Sequence, residues 1–220
     1  MPADLISRLA LVDTCALSDA LDRLRLPPAV TGIRALTTVG RIAGRVLTVK
    51  LGVADPQVKS VRHLCTAAIE RARAGDIILV EQSTGVDAAG WGGVLSNGAS
   101  VRGVSGVIVE GPARDIDEAT ELGFPVYARS ATSRTARGRV QEVATGEPVV
   151  VGGTVVAEGD YAVADSSGVV FLPAAEAMRI LEAAEEIAAR ENAMTKSIRA
   201  GTAVGTVMGA SYENMLKAKQ

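Results

Sequence analysis

Apolar positions recur at two spacings along this chain, and the spacing separates helices from strands. Leu5, Leu9 and Val12 fall on one side of a helix over 3–12. Leu17, Ala20, Leu21 and Leu24 do the same for a second helix over 14–25. Ser18 or Asp19 is an alternative start for a shorter second helix, because both residue types accept hydrogen bonds from first-turn amides. Leu26-Pro27-Pro28 ends it, since proline has no amide proton and restricts its predecessor. A loop with short extended pieces over 29–42 leads to an alternating strand over 44–51. Helical spacing returns over 59–73, with Val61, Leu64, Cys65, Ala68, Ile69 and Ala72 on one side. Ala74-Gly75-Asp76 closes that helix and launches a strand over 77–81.

The middle of the chain reads GGVLSNGASVRGVSGVIVEGPARDIDE over 92–118. Gly92-Gly93 opens a helix carrying Val94, Leu95 and Ala99. A short apolar strand over 104–109 follows, with Gly111-Pro112 as its stop. A further short strand covers 125–128. From about 139 to 173 the pattern is strand and turn, with strands at 149–151, 155–157, 161–164 and 169–172. Gly152-Gly153 reads as a hairpin turn, and Gly159-Asp160 and Ser166-Ser167-Gly168 as further turns. A long helix over 174–200 carries Met178, Leu181, Ala184, Ile187 and Ala188 on one face and ends at Gly201. No repeat, linker or low-complexity stretch interrupts the chain. The expectation is therefore one domain over 1–220, an α/β layered sandwich with a long C-terminal helix.

Composition narrows the chemistry. The 220 residues are 48% hydrophobic but only 3% aromatic, so the core must be built of Val, Ala, Leu and Ile. Lys plus Arg is 23 against 25 for Asp plus Glu, a formal net charge of −2. That balance and the missing aromatic clusters argue against a nucleic-acid partner. Cys15 and Cys65 form neither a disulfide framework nor a zinc motif, and both read as buried thiols. The first ten residues lack a basic segment followed by an apolar core, and no apolar stretch approaches the ~20 residues of a membrane span. A cytoplasmic protein with no membrane partner is expected.

The candidate chemistry lies at the two ends of the central stretch. Free amides and the dipole of the helix opening at Gly92 and Gly93 suit a carboxylate or phosphate. Arg114 and Asp115 stand at the carboxyl end of a strand, where open α/β sheets place ligands. Asp115 is a hard oxygen ligand for Mg²⁺ or Mn²⁺, and Arg114 a planar fork for a carboxylate or polarised carbonyl. The same residues also fit a structural role, because Asp115-x-x-Glu118 is a capping box before Ala119 and Leu122. Surface or packing roles suit His63, placed on the 59–73 helix, and Trp91, which could also line a pocket mouth. Asp165 reads as a turn-stabilising residue. Of the lysines, Lys50 at a strand end is the one plausible imine former, so a metal-assisted route is the better fit.

Gly93, twenty intervening residues, Arg114-Asp115, two more, then Glu118 resembles the signature of the 4-hydroxy-4-methyl-2-oxoglutarate / 4-carboxy-4-hydroxy-2-oxoadipate aldolases. These share a fold with the regulator of ribonuclease activity A. The likeness runs from about Asp19 to about Gly201. It includes AGDIILVE at 74–81, FPVYAR at 124–129 and VVVGGTVVAEGDYAVADSSGVVFLP at 149–173. The resemblance implies a swivelling β/β/α domain assembled as trimers or hexamers, with the 174–200 helix packing on a neighbouring subunit. It implies metal-dependent retro-aldol cleavage of a 4-hydroxy-2-oxo acid to pyruvate, with oxaloacetate decarboxylation as a possible companion activity. Carried over, Asp115 would bind Mg²⁺ or Mn²⁺, the backbone of Gly92, Gly93, Val94 and Leu95 would hold the substrate carboxylate, and Arg114 would contact the keto oxygen. Glu191, with Glu185 and Glu186 as competitors, would enter a neighbour's site. Asp19 would join the water network unless it caps its helix, and Glu118 would orient Arg114 or cap its own helix. A non-catalytic regulator binding a protein partner is the alternative the same resemblance implies.

Overall fold

The computed structural model describes residues 2–27, 29–37, 40–58 and 62–209. Pro28, the 59–61 part of the expected third helix, and the tail from 210 to Gln220 lie outside the described residues. The elements in chain order are α1 (Pro2–Leu9), α2 (Thr14–Leu24), β1 (Arg34–Ala35), β2 (Ile42–Val53), α3 (Thr66–Arg71), β3 (Ile77–Glu81), α4 (Gly93–Val101), β4 (Gly106–Ala113) and α5 (Ile116–Glu121). They continue as β5 (Val126–Ala131), β6 (Val140–Thr145), β7 (Val149–Val151), β8 (Thr154–Val156), β9 (Tyr161–Asp165), β10 (Gly168–Leu172), α6 (Ala177–Arg199) and α7 (Val204–Val207).

Among the described residues, eight strands form one sheet in the order β1-β5-β4-β3-β2-β9-β10, with β6 also on β2. Strands β2 to β5 run parallel, joined through helices, while β9 and β10 form an antiparallel hairpin. Val30, just before β1, bridges to Val169 of β10, so the sheet nearly closes on itself. β2 is shared: Ile42–Arg45 pair with β9, Val46–Lys50 with β3, and Val49–Val53 with β6. The β7–β8 hairpin turns at Gly152 and Gly153, both at positive φ as such a two-residue turn requires.

Side-chain alternation explains the layers. In β3, Ile77 and Leu79 point into the interior of the curved sheet and Ile78 and Val80 point outward to α3, α4 and α5. In β10, Val169 and Phe171 point inward and Val170 and Leu172 outward to α1, α2 and α6. Strands buried on both faces read as continuous apolar runs. This is a mixed α/β fold with helices on the outer faces of a nearly closed sheet and a long C-terminal helix, as the sequence predicts.

Several local expectations change. The third helix starts at Thr66, not at 59, because Cys65 has a left-handed backbone (φ 66°) and gives its amide to Glu142 Oε2 at 2.6 Å. Leu64 and Cys65 are buried even so, which is what their helical spacing reported. His63 is consequently in the loop before α3. The strand expected to stop at Gly111-Pro112 continues to Ala113 through a register shift between Val109 and Pro112, a place where proline is tolerated. Cys15 is exposed, while Cys65 is buried. Met178 is exposed, whereas Leu181, Ala184 and Ile187 are buried. Helix α2 is capped by Asp13, whose carboxylate accepts from the Ala16 amide, and not by Ser18 or Asp19. Asp165 holds its turn as expected, accepting from Ser167 N, and also ties α2 to β9 through Thr14 N and Oγ1.

Candidate functional site

The carboxyl end of β4 and the amino end of α4 meet. Arg114 donates its amide to the Trp91 carbonyl at 3.0 Å, and Gly90 donates to the Pro112 carbonyl at 2.9 Å. These bonds lay the segment before α4 alongside the end of β4. Trp91 pins the junction from beneath: it is 1% exposed, donates Nε1–H to Ser96 Oγ at 2.9 Å and stacks on Phe124. Gln82 holds the preceding loop by donating Nε2–H to the carbonyls of Ala88 and Val86.

Asp115 follows the strand at φ 58°, ψ 42°, a left-handed conformation uncommon for a residue with a side chain. It stands at the cap position of α5 but makes no side-chain cap, so the expected capping box does not form. Its Oδ2 instead crosses to α4 and accepts from Gly93 N at 2.9 Å, and it also accepts from Arg114 Nε at 3.1 Å. The Gly93 amide, ahead of the Arg114 guanidinium, holds the Asp115 carboxyl below the usual carboxylate range against a weaker upward push from burial. Among the described residues, Asp115 Oδ1 accepts no hydrogen bond.

Glu118 neither caps α5 nor bonds Arg114. Its Oε1 accepts from Asn97 Nδ2 at 2.8 Å, and Asn97 also donates to the Gly93 carbonyl at 3.0 Å. The Glu118 carboxylate lies where a Cβ at position 93 would stand, so any side chain there would have to displace the flexible end of Glu118. The first-turn amides of α4 follow from this. Gly93 N–H is given to Asp115, Ser96 N–H returns to the Gly92 carbonyl, and those of Val94 and Leu95 have no partner within the helix.

Gly92 to Leu95, Arg114 and Asp115 line a pocket of about 590 Å³, within the range of small-molecule sites. The rest of its wall comes from Ala89 and Trp91 before α4, from His63, Leu64 and Thr66 about the start of α3, and from Thr135, Ala136 and Arg137 between β5 and β6. A place at a pocket is one of the two sequence readings of Trp91; the 135–137 wall and Asn97 were missed. The 132–139 loop has no hydrophobic period, and Asn97 is informative only as the residue one turn beyond Gly93.

Asp19 and Glu191 are brought together, but elsewhere within the chain. They lie on the packed pair α2 and α6 and do not line the pocket. Burial first, then Asp22 and Asp13, pushes the Asp19 carboxyl up. Burial first, then Asp19 and Asp13, does the same for Glu191. Glu185 is engaged by Arg8 at 2.7 Å and Glu186 by Arg23 at 3.0 Å. Lys50 stands 4.0 Å from Glu81. No helix among the described residues is long and apolar enough to cross a membrane.

This is a mixed α/β fold in which the start of α4, with two first-turn amides unpaired, meets an Arg-Asp pair at a pocket, and comparison with known proteins refines that class. The family described as RraA-like, Aldolase/RraA, matches residues 14–171, and the chain belongs to it. It is 26% identical over 199 residues to the "Putative 4-hydroxy-4-methyl-2-oxoglutarate aldolase" of Halalkalibacterium halodurans, covering 89% of each protein. A protein of the same name from Burkholderia mallei is 34% identical over 131 residues, 60% of this chain and 74% of that one. Among solved structures, an uncharacterized protein from Pseudomonas syringae pv. tomato superposes with a TM-score of 0.84 at 25% identity, covering 94% of this chain and 98% of that one. Streptomyces coelicolor RraAS2, described as an unusual member of the RNase ES inhibitor RraA protein family, gives 0.77 at 25% identity, covering 86% and 94%.

Proposed function

We propose that this protein is a divalent-metal-dependent aldolase that cleaves a 4-hydroxy-2-oxo acid, such as 4-hydroxy-4-methyl-2-oxoglutarate or 4-carboxy-4-hydroxy-2-oxoadipate, to pyruvate. The observation that carries this reading is the Asp115 carboxylate, fixed by Gly93 N–H and Arg114 Nε at the mouth of an anion-accepting helix. The donor set fits a water-rich cation. Among the described residues no group of three or more His, Cys, Asp or Glu gathers into a cage. Mg²⁺ is commonly held by one or two carboxylates with waters and substrate completing its shell, and Asp115 offers one free carboxylate oxygen on the pocket. Mg²⁺ or Mn²⁺ held there would supply Lewis acidity to the 2-oxo group.

The chain's own residues divide the remaining work. The free amides of Val94 and Leu95 receive the substrate carboxylate, helped by the dipole of α4. Arg114 is anchored through Nε to Asp115. Its terminal nitrogens make no hydrogen bond among the described residues, and they meet the 2-oxo oxygen as negative charge develops on cleavage. Glu118, held by Asn97, fixes the backbone at Gly93. A proton must leave the C4 hydroxyl. In this reading Glu191, aided by Asp19, approaches from α6 and α2 of a second copy in a trimer or hexamer and holds the accepting water. Two crowded carboxylates with raised proton affinity suit that task.

The test is pyruvate release from 4-hydroxy-4-methyl-2-oxoglutarate, with oxaloacetate alongside, in added Mg²⁺ and then in excess EDTA. Metal-dependent pyruvate from the hydroxy acid supports the aldolase. Pyruvate from oxaloacetate alone reassigns the site to decarboxylation, which uses the same enolate. No pyruvate from either favours the second reading, a regulator that binds a protein partner, whose support is the fold shared with Streptomyces coelicolor RraAS2.

A further inference from the structure

The part of the pocket wall between β5 and β6 carries an unspent positive charge. The charged residues lining the pocket are Arg114, Asp115 and Arg137. Arg114 and Asp115 pair with each other, so their charges offset. The Arg137 side chain makes no ion pair or hydrogen bond among the described residues, whereas on the same loop Arg134 faces Asp87 at 3.6 Å and Arg139 donates Nη1–H to the Thr135 carbonyl at 3.3 Å. The loop that presents it is anchored. Ala136 is buried in the core beneath, Arg137 N donates to Thr135 Oγ1, and the amides of Arg139 and Val140 both return to the Ala136 carbonyl. His63 lines the same pocket from the loop before α3, and that loop is fixed by Thr66 Oγ1 donating to the His63 carbonyl at 2.7 Å. The one acid lining this pocket, Asp115, is already paired with Arg114. His63 and Arg137 also border an adjoining cavity with Asp55 and Glu142, whose carboxylates are engaged by the Gln57 amide and by Cys65 and Thr145. A guanidinium and an imidazole so placed form a receptor for an anion.

We infer that Arg137, assisted by His63, binds a second carboxylate at the far end of the substrate, so that the site selects dianionic over monoanionic 2-oxo acids. This rests on the reading that Val94, Leu95 and Arg114 hold the 2-oxo carboxylate end. Both ends of the ligand are then met by cationic or amide donors, and Arg137 becomes a specificity-determining residue that leaves the bond-breaking centre to Arg114 and Asp115.

The test needs no turnover. Calorimetric binding in Mg²⁺ is compared for 2-oxoglutarate and 2-oxopentanoate, two five-carbon 2-oxo acids that differ in the terminal carboxylate. The wild-type protein is expected to bind 2-oxoglutarate at least about tenfold more tightly. Arg137→Gln is expected to erase that preference while changing 2-oxopentanoate affinity less than about twofold, and His63→Gln to erode it partly. The Arg137 side chain is exposed and makes no structural bond, so an unchanged Tm should accompany the effect. Equal wild-type affinities, or an equal loss of both ligands in Arg137→Gln, would overturn the inference. The two readings fail separately: selective binding without pyruvate release from hydroxy acids sinks the aldolase alone, and pyruvate release without selectivity sinks this inference alone.

Discussion

Two groups of carboxylates in this molecule are treated in opposite ways. Asp115 is held down: a backbone amide, then a guanidinium, bind its oxygen and favour the ionised form. Asp19 and Glu191 lie near Asp13 on the α2–α6 face, and burial first, then neighbouring carboxylates, pushes each up. A carboxylate with fixed donors is a preorganised anchor for a cation or a substrate contact. Carboxylates that repel one another are poised to accept a proton or to pair with a positive surface. Different chemistry is thus prepared on two faces of one chain, and the pocket lies on only one of them.

Removing the held group should have the largest effect. Asp115→Ala is expected to abolish Mg²⁺-dependent pyruvate formation, and Arg114→Ala to lower kcat by ~10²–10³, the usual consequence of losing one well-placed donor. Steady-state rates on the folded variants check this, and wild-type rates in either would remove the roles assigned. Glu191→Gln should sharpen the contrast, because relieving repulsion is expected to raise Tm slightly while turnover falls. Mixing it with inactive Asp115→Ala should restore part of the activity if the acid serves a second copy's pocket. A lower Tm with unchanged turnover would leave Glu191 an ordinary surface carboxylate.

Asp165 is a second held-down carboxylate and tests the physics apart from the site. Burial pushes it up, but hydrogen bonds from Thr14 and Ser167 and the nearby Arg41 outweigh that and lower it. Asp165→Ala is expected to cost about 2 kcal/mol, typical for hydrogen bonds to a charged group, or roughly 4–8 °C in Tm for a chain of this size. A depressed folded pKa gives stability that is present above the unfolded value, near 3.8, and lost as pH falls through the lower folded value. The gap between wild type and Asp165→Ala, read from denaturant melts, should therefore be full at neutral pH and close below about 3.8. The smallest effect is expected from Gly93→Ala. The new methyl group meets the flexible end of Glu118, which can swing away at the cost of the Asn97 bond, on the order of 1 kcal/mol.

The sequence was most informative where a side chain's surroundings repeat along the chain. The run 77–80 is apolar because both faces of β3 are covered, and Gly152-Gly153 marks a turn that few other pairs could make. It misled where burial and helicity part company. Leu64 and Cys65 have helical spacing and are buried, yet the Cys65 amide donates to Glu142, far along the chain, and the two stay in a loop. In the site, Gly92, Gly93, Arg114 and Asp115 could be read as a set, but not the way they connect. A capping box and a cross-chain bond to Gly93 use the same residues, and only the left-handed turn at Asp115 selects the second. Arg137 was illegible because a loop arginine gains meaning from what it lacks, a partner, and partners are set by folding.

The shared strand β2 has a consequence for how the protein comes apart. Ile42 pairs with Ala164, and Val49 with both Val80 and Thr145, so one strand carries contacts from widely separated parts of the chain. Closing such long loops is entropically slow, and little of the sheet can be completed until β9 arrives. Loss of β2 would strip β3, β6 and β9 together, leaving no half able to survive alone. Its amides should exchange with solvent only through global opening, and unfolding should proceed as one cooperative event that takes the pocket and the α2–α6 face with it.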